Sequence, residues 1–365
     1  MKFSIPREAL LAPIAQVVNV VERRQTLPVL ANFLIEAVED GLRITGTDME
    51  VELVARASAE VAQPGSITVP ARKLVDICKA LPEGVKINVQ LNGEKLMVHA
   101  GRSRFTLATL PAAEFPSSDR SESLAEYSIN QGRLRWLVEK TSFAMAHQDV
   151  RHYLNGLLLE FRDGGLRAVA TDGHRLALAE ARADISGELR SLIVPRKGVL
   201  ELNRILDDID EPLTVVVGQG FLRIDRERMV MTTKLIDGRF PDYEAVVPVA
   251  TDQALIIDCG ELTHALQRAA ILSNEKYRGV RLDLDANTVK VIAHNPQQEE
   301  AVEELEVEHD FKQLKVGFNV NYLLDALGSI DGEQVRIALR DANSSCLVTA
   351  VDSDAVRQVV MPLKL

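Results

Sequence analysis

A long internal repeat constrains the fold of this chain more than any other sequence feature. Asp48, in a Gly-Thr-Asp string, recurs 124 positions later as Asp172, in an Ala-Thr-Asp string. The Phe-Pro pair that ends at Pro116 recurs 125 positions later at Pro241. A period this long exceeds that of any solenoid unit, so it predicts a duplicated domain.

The chain length decides how many copies to expect. A chain of 365 residues allows two or three domains, and the repeat selects three domains of about 120 residues each. We place their boundaries at 1–122, 123–247 and 248–365. Hydrophobic residues make up 46% of the chain and aromatic residues only 4%. Each copy can therefore build a core, made mostly of Leu, Val, Ile and Ala.

The hydrophobic pattern of each copy predicts a helix, strands, a second helix and further strands. In the first copy, apolar residues recur at spacings of three and four from Leu10 to Val21. Alternating runs follow at 32–38, 42–47 and 51–57. The expected fold class is α+β, with six helix-plus-sheet half-units along the chain.

Motifs for catalysis are nearly absent from the sequence. It contains no phosphate-binding loop and no nucleophile elbow, and its three cysteines fit neither a metal site nor a disulfide framework. A hydrolase that uses Asp172 and His174 as an acid/base pair stays an alternative, although Asp-Gly strings usually mark turns. We expect no cofactor and no metal. No apolar run is long enough for a membrane span, so a cytoplasmic location is expected.

The charged residues are unevenly placed. The net charge of −11 argues against a protein that coats nucleic acid, because an acidic surface repels phosphate. Acidic residues crowd around Glu299 and Glu300, whereas many basic residues lie on or beside predicted helices. These helices either have ordinary solvated faces or form one basic face that attracts phosphates without reading bases. The basic residues beside predicted helices include Arg72, Arg196, Lys197, Arg204 and Arg268.

Eight sequence strings carry a family resemblance over essentially the whole chain. They are GTD at 46–48, VPARK at 69–73, GRSRF at 101–105, MAHQDVR at 145–151, ATDGHRL at 170–176, DGRFPDY at 237–243, AILSNEK at 270–276 and VVMP at 359–362. Taken together, they resemble the bacterial DNA polymerase III β subunits, the β sliding clamps. The resemblance implies three repeated DNA-clamp domains per chain in a head-to-tail dimer ring, with helices lining a central channel and antiparallel sheets outside.

The resemblance also implies a function and a set of partners. It implies a non-catalytic accessory subunit of DNA polymerase III that gives the replicative polymerase processivity by encircling duplex DNA. The implied partners are the polymerase III core, the clamp loader, other DNA polymerases, ligase and mismatch-repair proteins, bound through short peptide motifs, with no membrane. A scaffold that never touches DNA is a further alternative.

The family's functional residues map onto three sets. The predicted DNA contacts are Arg24, Arg72, Gln148, His152 and Tyr153, together with the helix-borne Arg196 and Lys197. The predicted partner-peptide groove comprises Arg151, Tyr153, Leu154, Thr171, Gly173, His174, Arg175, Leu176, Pro241, Val246, Asn319, Tyr322, Val359, Val360, Met361 and Pro362. The predicted dimer interface comprises Arg102, Arg104, Phe105, Leu107, Ile271, Leu272, Glu299 and Glu300. Familiar members have Tyr at the position of His152 and often a basic residue at that of Ala245.

Overall fold

The computed structural model describes residues 1–22, 27–116, 122–248, 253–285, 287–307, 309, 311 and 313–364, and every structural statement below concerns these residues. They include six α-helices: α1 (Arg7–Val17), α2 (Ala71–Ala80), α3 (Gln131–Thr141), α4 (Arg196–Ile205), α5 (Cys259–Ala270) and α6 (Val320–Ser329). None of these helices is long and apolar enough to cross a membrane.

The strands of the described residues alternate with these helices in chain order. The strands before α3 are β1 (Lys2–Pro6), β2 (Asn32–Val38), β3 (Gly41–Thr47), β4 (Val51–Ala57), β5 (Glu60–Gln63), β6 (Gly65–Pro70), β7 (Lys86–Asn92), β8 (Lys95–Ala100), β9 (Ser103–Ala108) and β10 (Ser123–Asn130). Those between α3 and α5 are β11 (Gly156–Arg162), β12 (Gly165–Thr171), β13 (Arg175–Arg182), β14 (Arg190–Pro195), β15 (Pro212–Gly218), β16 (Phe221–Arg226), β17 (Met229–Lys234) and β18 (Ala254–Asp258). The remainder are β19 (Gly279–Asp285), β20 (Thr288–His294), β21 (Glu300–Glu306), β22 (Gln313–Asn319), β23 (Gln334–Ala338), β24 (Cys346–Ala350) and β25 (Val356–Val360).

Local sequence signals account for several helix ends. The Asp258 side chain caps α5 by accepting a hydrogen bond of 2.8 Å from the backbone N–H of Glu261. Asn319 caps α6 in the same way, through the N–H of Asn321 at 2.9 Å. Helix α1 continues through Pro13, although proline removes one helical hydrogen-bond donor.

The chain divides into two compact units. The first contains Met1–Gly132 and Leu200–Leu235, and the second contains Arg133–Val199 and Ile236–Leu365. The sheets of the first unit run in the orders β5-β1-β7-β8-β9 and β10-β15-β16-β17-β4-β3-β2-β6. Those of the second unit run in the orders β14-β11-β12-β13-β25-β24-β23-β18 and β21-β20-β19-β22.

Each eight-stranded sheet joins strands from two sequence copies. In the first unit, β17 pairs antiparallel with β4, and in the second unit β13 pairs antiparallel with β25. The compact units therefore do not follow the sequence copies one by one. The domain boundaries at 1–122, 123–247 and 248–365 stay a prediction.

One face of the eight-stranded sheet in the second unit is apolar at one end and charged at the other. Strand side chains alternate between the two faces, so residues two apart share a face. The apolar end is a cluster of buried side chains, which we call the apolar cluster. Its members are Leu158, Val169, Leu176, Leu178, Ile193, Phe240, Tyr243, Ala338, Leu347 and Val359. The charged end contains Glu160, Arg162, Arg167, Glu180 and Arg357.

Candidate functional site

A tight turn at 171–175 forms one edge of the predicted groove. The Thr171 hydroxyl donates to the carbonyl of Arg175 at 2.6 Å, and Gly173 has a φ of 87°, which favours glycine. Asp172 Oδ1 accepts from the backbone N–H groups of His174 and Arg175 at 2.9 and 3.0 Å. The Asp172 carboxylate is thus engaged in building the turn, and nothing in its contacts supports the predicted acid/base pair.

The Arg175 side chain is held from several directions. Its guanidinium donates to Asp172 Oδ2 at 3.1 Å, to Asp325, and to the carbonyl of Phe143 at 2.7 Å. The same group lies 4.6 Å from the ring centroid of Tyr322, a cation–π distance. Burial, together with the negative charge of Asp172, raises the pKa of Tyr322. Arg175 therefore presents a fixed and neutralised cation beside the groove.

Arg151 connects a neighbouring loop to this turn. Its guanidinium pairs with both carboxylate oxygens of Asp149, at 3.0 and 2.9 Å, and these hydrogen bonds lower the pKa of Asp149 to about 2. Asn155 fixes the loop by bonding to the backbone N–H and carbonyl of Asp149. A Cβ added to Gly173 would lie 3.1 Å from Arg151 Nη2. Glycine at 173 therefore leaves room for the guanidinium.

The floor of the predicted groove is apolar. In the pairing of β13 with β25, Leu176 lies opposite Val359, and both side chains are almost completely buried in the apolar cluster. Tyr153 packs against the same cluster, and Leu154 is buried. An apolar floor with a few oriented polar groups is typical of a ligand site.

The C-terminal tail extends this floor. The N–H of Met361 donates to the carbonyl of His174 at 2.9 Å, so the tail follows directly from the turn. The N–H of Leu363 then donates to the carbonyl of Gly317 in β22 at 2.8 Å. Since Asn319 ends β22, the tail carries Met361 toward the start of α6.

A segment without regular secondary structure supplies the remaining wall. Residues 236–248, which we call the covering segment, contain Pro241 and Val246. Phe240 and Tyr243 anchor this segment in the apolar cluster, with their rings edge to face at 6.4 Å. The second unit thus contains every residue of the predicted groove. Sequence reasoning missed Asp149, Asp325 and Phe143, which hold the groove arginines from positions that no local motif marks.

The predicted DNA contacts fall in both units. Arg24 lies outside the described residues. Arg72, at the start of α2, is exposed and donates to the carbonyl of Val21 at 2.8 Å. In the second unit, Gln148 is exposed in a loop with a φ of 57°, and His152 is exposed at the start of the short 3-10 helix His152–Leu154.

The other predicted DNA contacts are less exposed. Tyr153 and Arg196 are half-buried, and Arg196 donates to the carbonyl of Met145 at 3.3 Å. Lys197 is half-buried as well.

The predicted dimer residues lie at two edge strands and one helix end. Arg104, Phe105 and Leu107 belong to β9, the edge strand of its sheet, and Arg102 directly precedes it. Glu300 begins β21, also an edge strand, and Glu299 precedes it. Ile271 and Leu272 follow α5, and Ile271 is 77% exposed.

Family models match nearly the whole chain. Residues 1–119 match the N-terminal domain of the DNA polymerase III beta subunit, residues 128–242 its central domain and residues 244–364 its C-terminal domain. The chain belongs to the DNA polymerase III beta subunit family. It therefore consists of three clamp domains that combine helices with antiparallel sheets, as the sequence predicted.

Relatives and solved structures agree with this assignment over their full length. The chain is 54% identical to the beta sliding clamp of Pseudomonas aeruginosa and 49% identical to that of Escherichia coli K12, each match covering 100% of both proteins. The structure of the P. aeruginosa DnaN sliding clamp bound to griselimycin superposes with a TM-score of 0.97 at 53% identity. The Caulobacter crescentus pol III beta structure gives 0.95 at 37% identity. Both superpositions cover 100% of each chain.

Membership in the sliding-clamp family decides between the functional alternatives. The chain is a DNA sliding clamp, a non-catalytic processivity factor, as predicted from the sequence. The hydrolase alternative at Asp172 and His174 is unsupported. Among the described residues, no group of three or more His, Cys, Asp or Glu side chains could hold a metal ion.

Proposed function

We propose that two copies of this clamp form a closed head-to-tail ring around duplex DNA and tether replication and repair proteins to it. The observation that carries the ring is a pair of edge strands with opposite charge. Strand β9 carries Arg104 and follows Arg102, whereas β21 begins at Glu300 and follows Glu299. Unpaired edge strands are templates for pairing with another chain. A heterologous contact of this kind closes a ring when its rotation closes.

The apolar part of the proposed joint reinforces this pairing. Phe105 and Leu107 share one face of β9, and Ile271 is 77% exposed, so the proposed joint would bury an apolar side chain. Leu272 follows it directly. Opposite charges around such an apolar centre steer the two chains into register.

We infer that DNA inside the ring is held weakly and without base reading. The proposed contacts are Arg24, Arg72, Gln148, His152, Tyr153, Arg196 and Lys197. Among them, Arg72, Gln148 and His152 have exposed side chains that suit phosphate contacts. Screening limits such contacts to roughly 8 Å at physiological salt. Loose contacts of this range let DNA slide while the closed ring prevents its escape.

We infer that partners bind the groove of the second unit through short peptides with buried aliphatic and aromatic anchors. The apolar floor around Leu176 and Val359 suits such anchors, and the half-exposed guanidinium of Arg151 suits peptide carbonyls. The P. aeruginosa relative was solved with griselimycin bound. We propose that griselimycin also binds this chain, in this groove. The proposed partners are the polymerase III core, the clamp loader, other DNA polymerases, ligase and mismatch-repair proteins. We propose a cytoplasmic location for this clamp.

Retention on DNA of different topology tests encirclement. The clamp is loaded on a nicked circular plasmid, challenged with high salt, and compared with the same plasmid cut once by a restriction enzyme. Salt weakens phosphate contacts but not a topological link. We expect retention on circles and loss from cut DNA. Equal loss from both would contradict encirclement.

A substitution at the joint tests the two-chain ring. Ile271→Ala combined with Leu272→Ala removes the exposed apolar centre, and we expect sedimentation to report one chain mass in place of two. Leu189→Ala is a matched control, since Leu189 is also exposed, at 55%, but lies far from either edge strand in sequence. A double variant that sediments as an intact dimer would refute the proposed joint.

A further inference from the structure

The covering segment is fastened to the sheet by a buried polar network beside the groove. The hydroxyl of Tyr243 donates to Glu160 Oε2 at 2.8 Å and accepts from Arg167 Nη1 at 2.6 Å. Arg167 Nη1 also donates to Glu244 Oε1 at 2.7 Å. Two adjacent residues of an otherwise irregular segment are therefore bonded to one arginine of β12.

This arginine is itself buried and fully engaged. Arg167 is only 9% exposed, and its Nε donates to Glu180 Oε1 at 2.6 Å. Glu180 Oε2 in turn accepts from Arg357 of β25 at 2.8 Å. The network thus joins β12, β13 and β25 to the covering segment, and burial raises the pKa of Tyr243 to about 12, so its hydroxyl stays protonated.

The network fixes residues on either side of Tyr243. Pro241 precedes it by two positions, and the N–H groups of Val246 and Val247 donate to the Tyr243 carbonyl at 3.0 and 3.1 Å. Pro241 and Val246 belong to the proposed groove. Because the backbone around Tyr243 sets their positions, a shift of that ring displaces one wall of the groove.

We propose that Arg167 and Tyr243 are positioning residues of the partner groove, which fix the wall formed by Pro241 and Val246 from beneath. Neither residue needs to touch the bound peptide. Pre-organisation of a wall lowers the ordering cost of binding and so strengthens affinity. The proposal rests on the proposed function, because it concerns the same groove.

Binding of griselimycin to the full-length clamp provides the test. Tyr243→Phe keeps the ring in the apolar cluster and removes only the hydroxyl, so we expect about fivefold weaker binding. Arg167→Met removes the centre of the network, and we expect a loss of about twentyfold or more, with Arg167→Lys recovering part of it. Affinities are measured well below each variant's melting temperature, where a purely stabilising role leaves them unchanged.

Two further measurements make the outcome decisive. Amide exchange at Val246 and Val247 should quicken in Tyr243→Phe. Arg223→Met is the matched control, because Arg223 also lies on a strand and pairs with a carboxylate, Asp225 at 3.0 Å, but in the first unit. We expect wild-type affinity for that control.

The positive control, Met361→Lys, alters the groove itself. If it weakens binding strongly while folded Tyr243→Phe and Arg167→Met bind like wild type, the positioning role is wrong and the groove stands. If Met361→Lys also binds like wild type, the groove assignment fails and this proposal fails with it.

Discussion

Two turns in different parts of the molecule share one backbone design but differ in their surfaces. The turn at 47–51 in the first unit has the same hydrogen bonds as the turn at 171–175 in the second. In each turn, the threonine hydroxyl donates to the carbonyl four residues later. The aspartate side chain accepts from the backbone N–H groups two and three residues after it. Met49 has a φ of 79° where Gly173 has 87°. The internal repeat is therefore conformational as well as sequential.

The strand beside each turn also has the same register. The N–H of Lys234 donates to the carbonyl of Glu50, and that of Met361 donates to the carbonyl of His174, both at 2.9 Å. The end of β17 and the C-terminal tail after β25 are thus hydrogen-bonded to their turns at equivalent positions.

The side chains on this shared design differ in polarity. In the second unit, Leu176 lies opposite Val359, and in the first unit Glu52 lies opposite Thr232 at the equivalent pairing. A polar pair gives no apolar pocket for a peptide anchor. Among the described residues, both units therefore share this backbone design, but this pairing is apolar only in the second unit, where we propose the groove.

The largest expected effect comes from moving a first-unit residue into the groove. Met361→Lys introduces the residue found at the equivalent position 234. A cation beside an apolar floor must stay solvated and so opposes an apolar anchor. We expect about 100-fold weaker griselimycin binding, equivalent to about 2.7 kcal/mol, measured by isothermal titration calorimetry.

The reciprocal change provides the control for Met361→Lys. Lys234→Met alters the first unit only, and we expect unchanged binding. An equal loss in both variants would show that the two turns do not differ in function.

A smaller effect is expected from the turn itself. Gly173→Met introduces the side chain found at Met49, which has nearly the same φ, so the turn can form with methionine at some cost in backbone strain. The new side chain would displace the Arg151 guanidinium, which a Cβ would approach to 3.1 Å. We expect about tenfold weaker peptide binding by fluorescence anisotropy, or about 1.4 kcal/mol. Met49→Gly is the matched control, and wild-type affinity of Gly173→Met would contradict the role of Arg151.

The smallest effect is expected at Asp149. Asp149→Asn keeps the shape of the side chain but removes its charge pair with Arg151, an exposed interaction, and we expect about threefold weaker binding. In the wild type, hydrogen bonds from Arg151 lower the pKa of Asp149 from 3.8 to about 2. A lowered pKa means that the pair contributes above about pH 4 and is lost as the pH falls toward 2.

Carboxyl NMR of Asp149 checks this pH dependence. We expect a titration midpoint near 2 and no change in the contribution of the pair between pH 5 and pH 9. A midpoint near 3.8 would mean that Arg151 is not held by Asp149 in solution.

Some features of the fold and of the predicted groove could be predicted from the sequence and others could not, for physical reasons. The turn at Asp172 and the three clamp domains follow from local signals or from the repeat, and the structure or the family match confirms them. The ion pair of Arg175 with Asp325 joins residues 150 positions apart, and no local periodicity encodes such a contact. The pairing of β13 with β25 has the same origin, since register between distant strands depends on tertiary packing.

The stoichiometry of groove binding tests the central claim most directly. Griselimycin is titrated into the full-length clamp, and the number of molecules bound per chain is determined by calorimetry. If only one of the two similar turns borders an apolar groove, one molecule binds per chain. Its affinity should fall about 100-fold in Met361→Lys. Two molecules per chain, or wild-type affinity in Met361→Lys, would contradict the account.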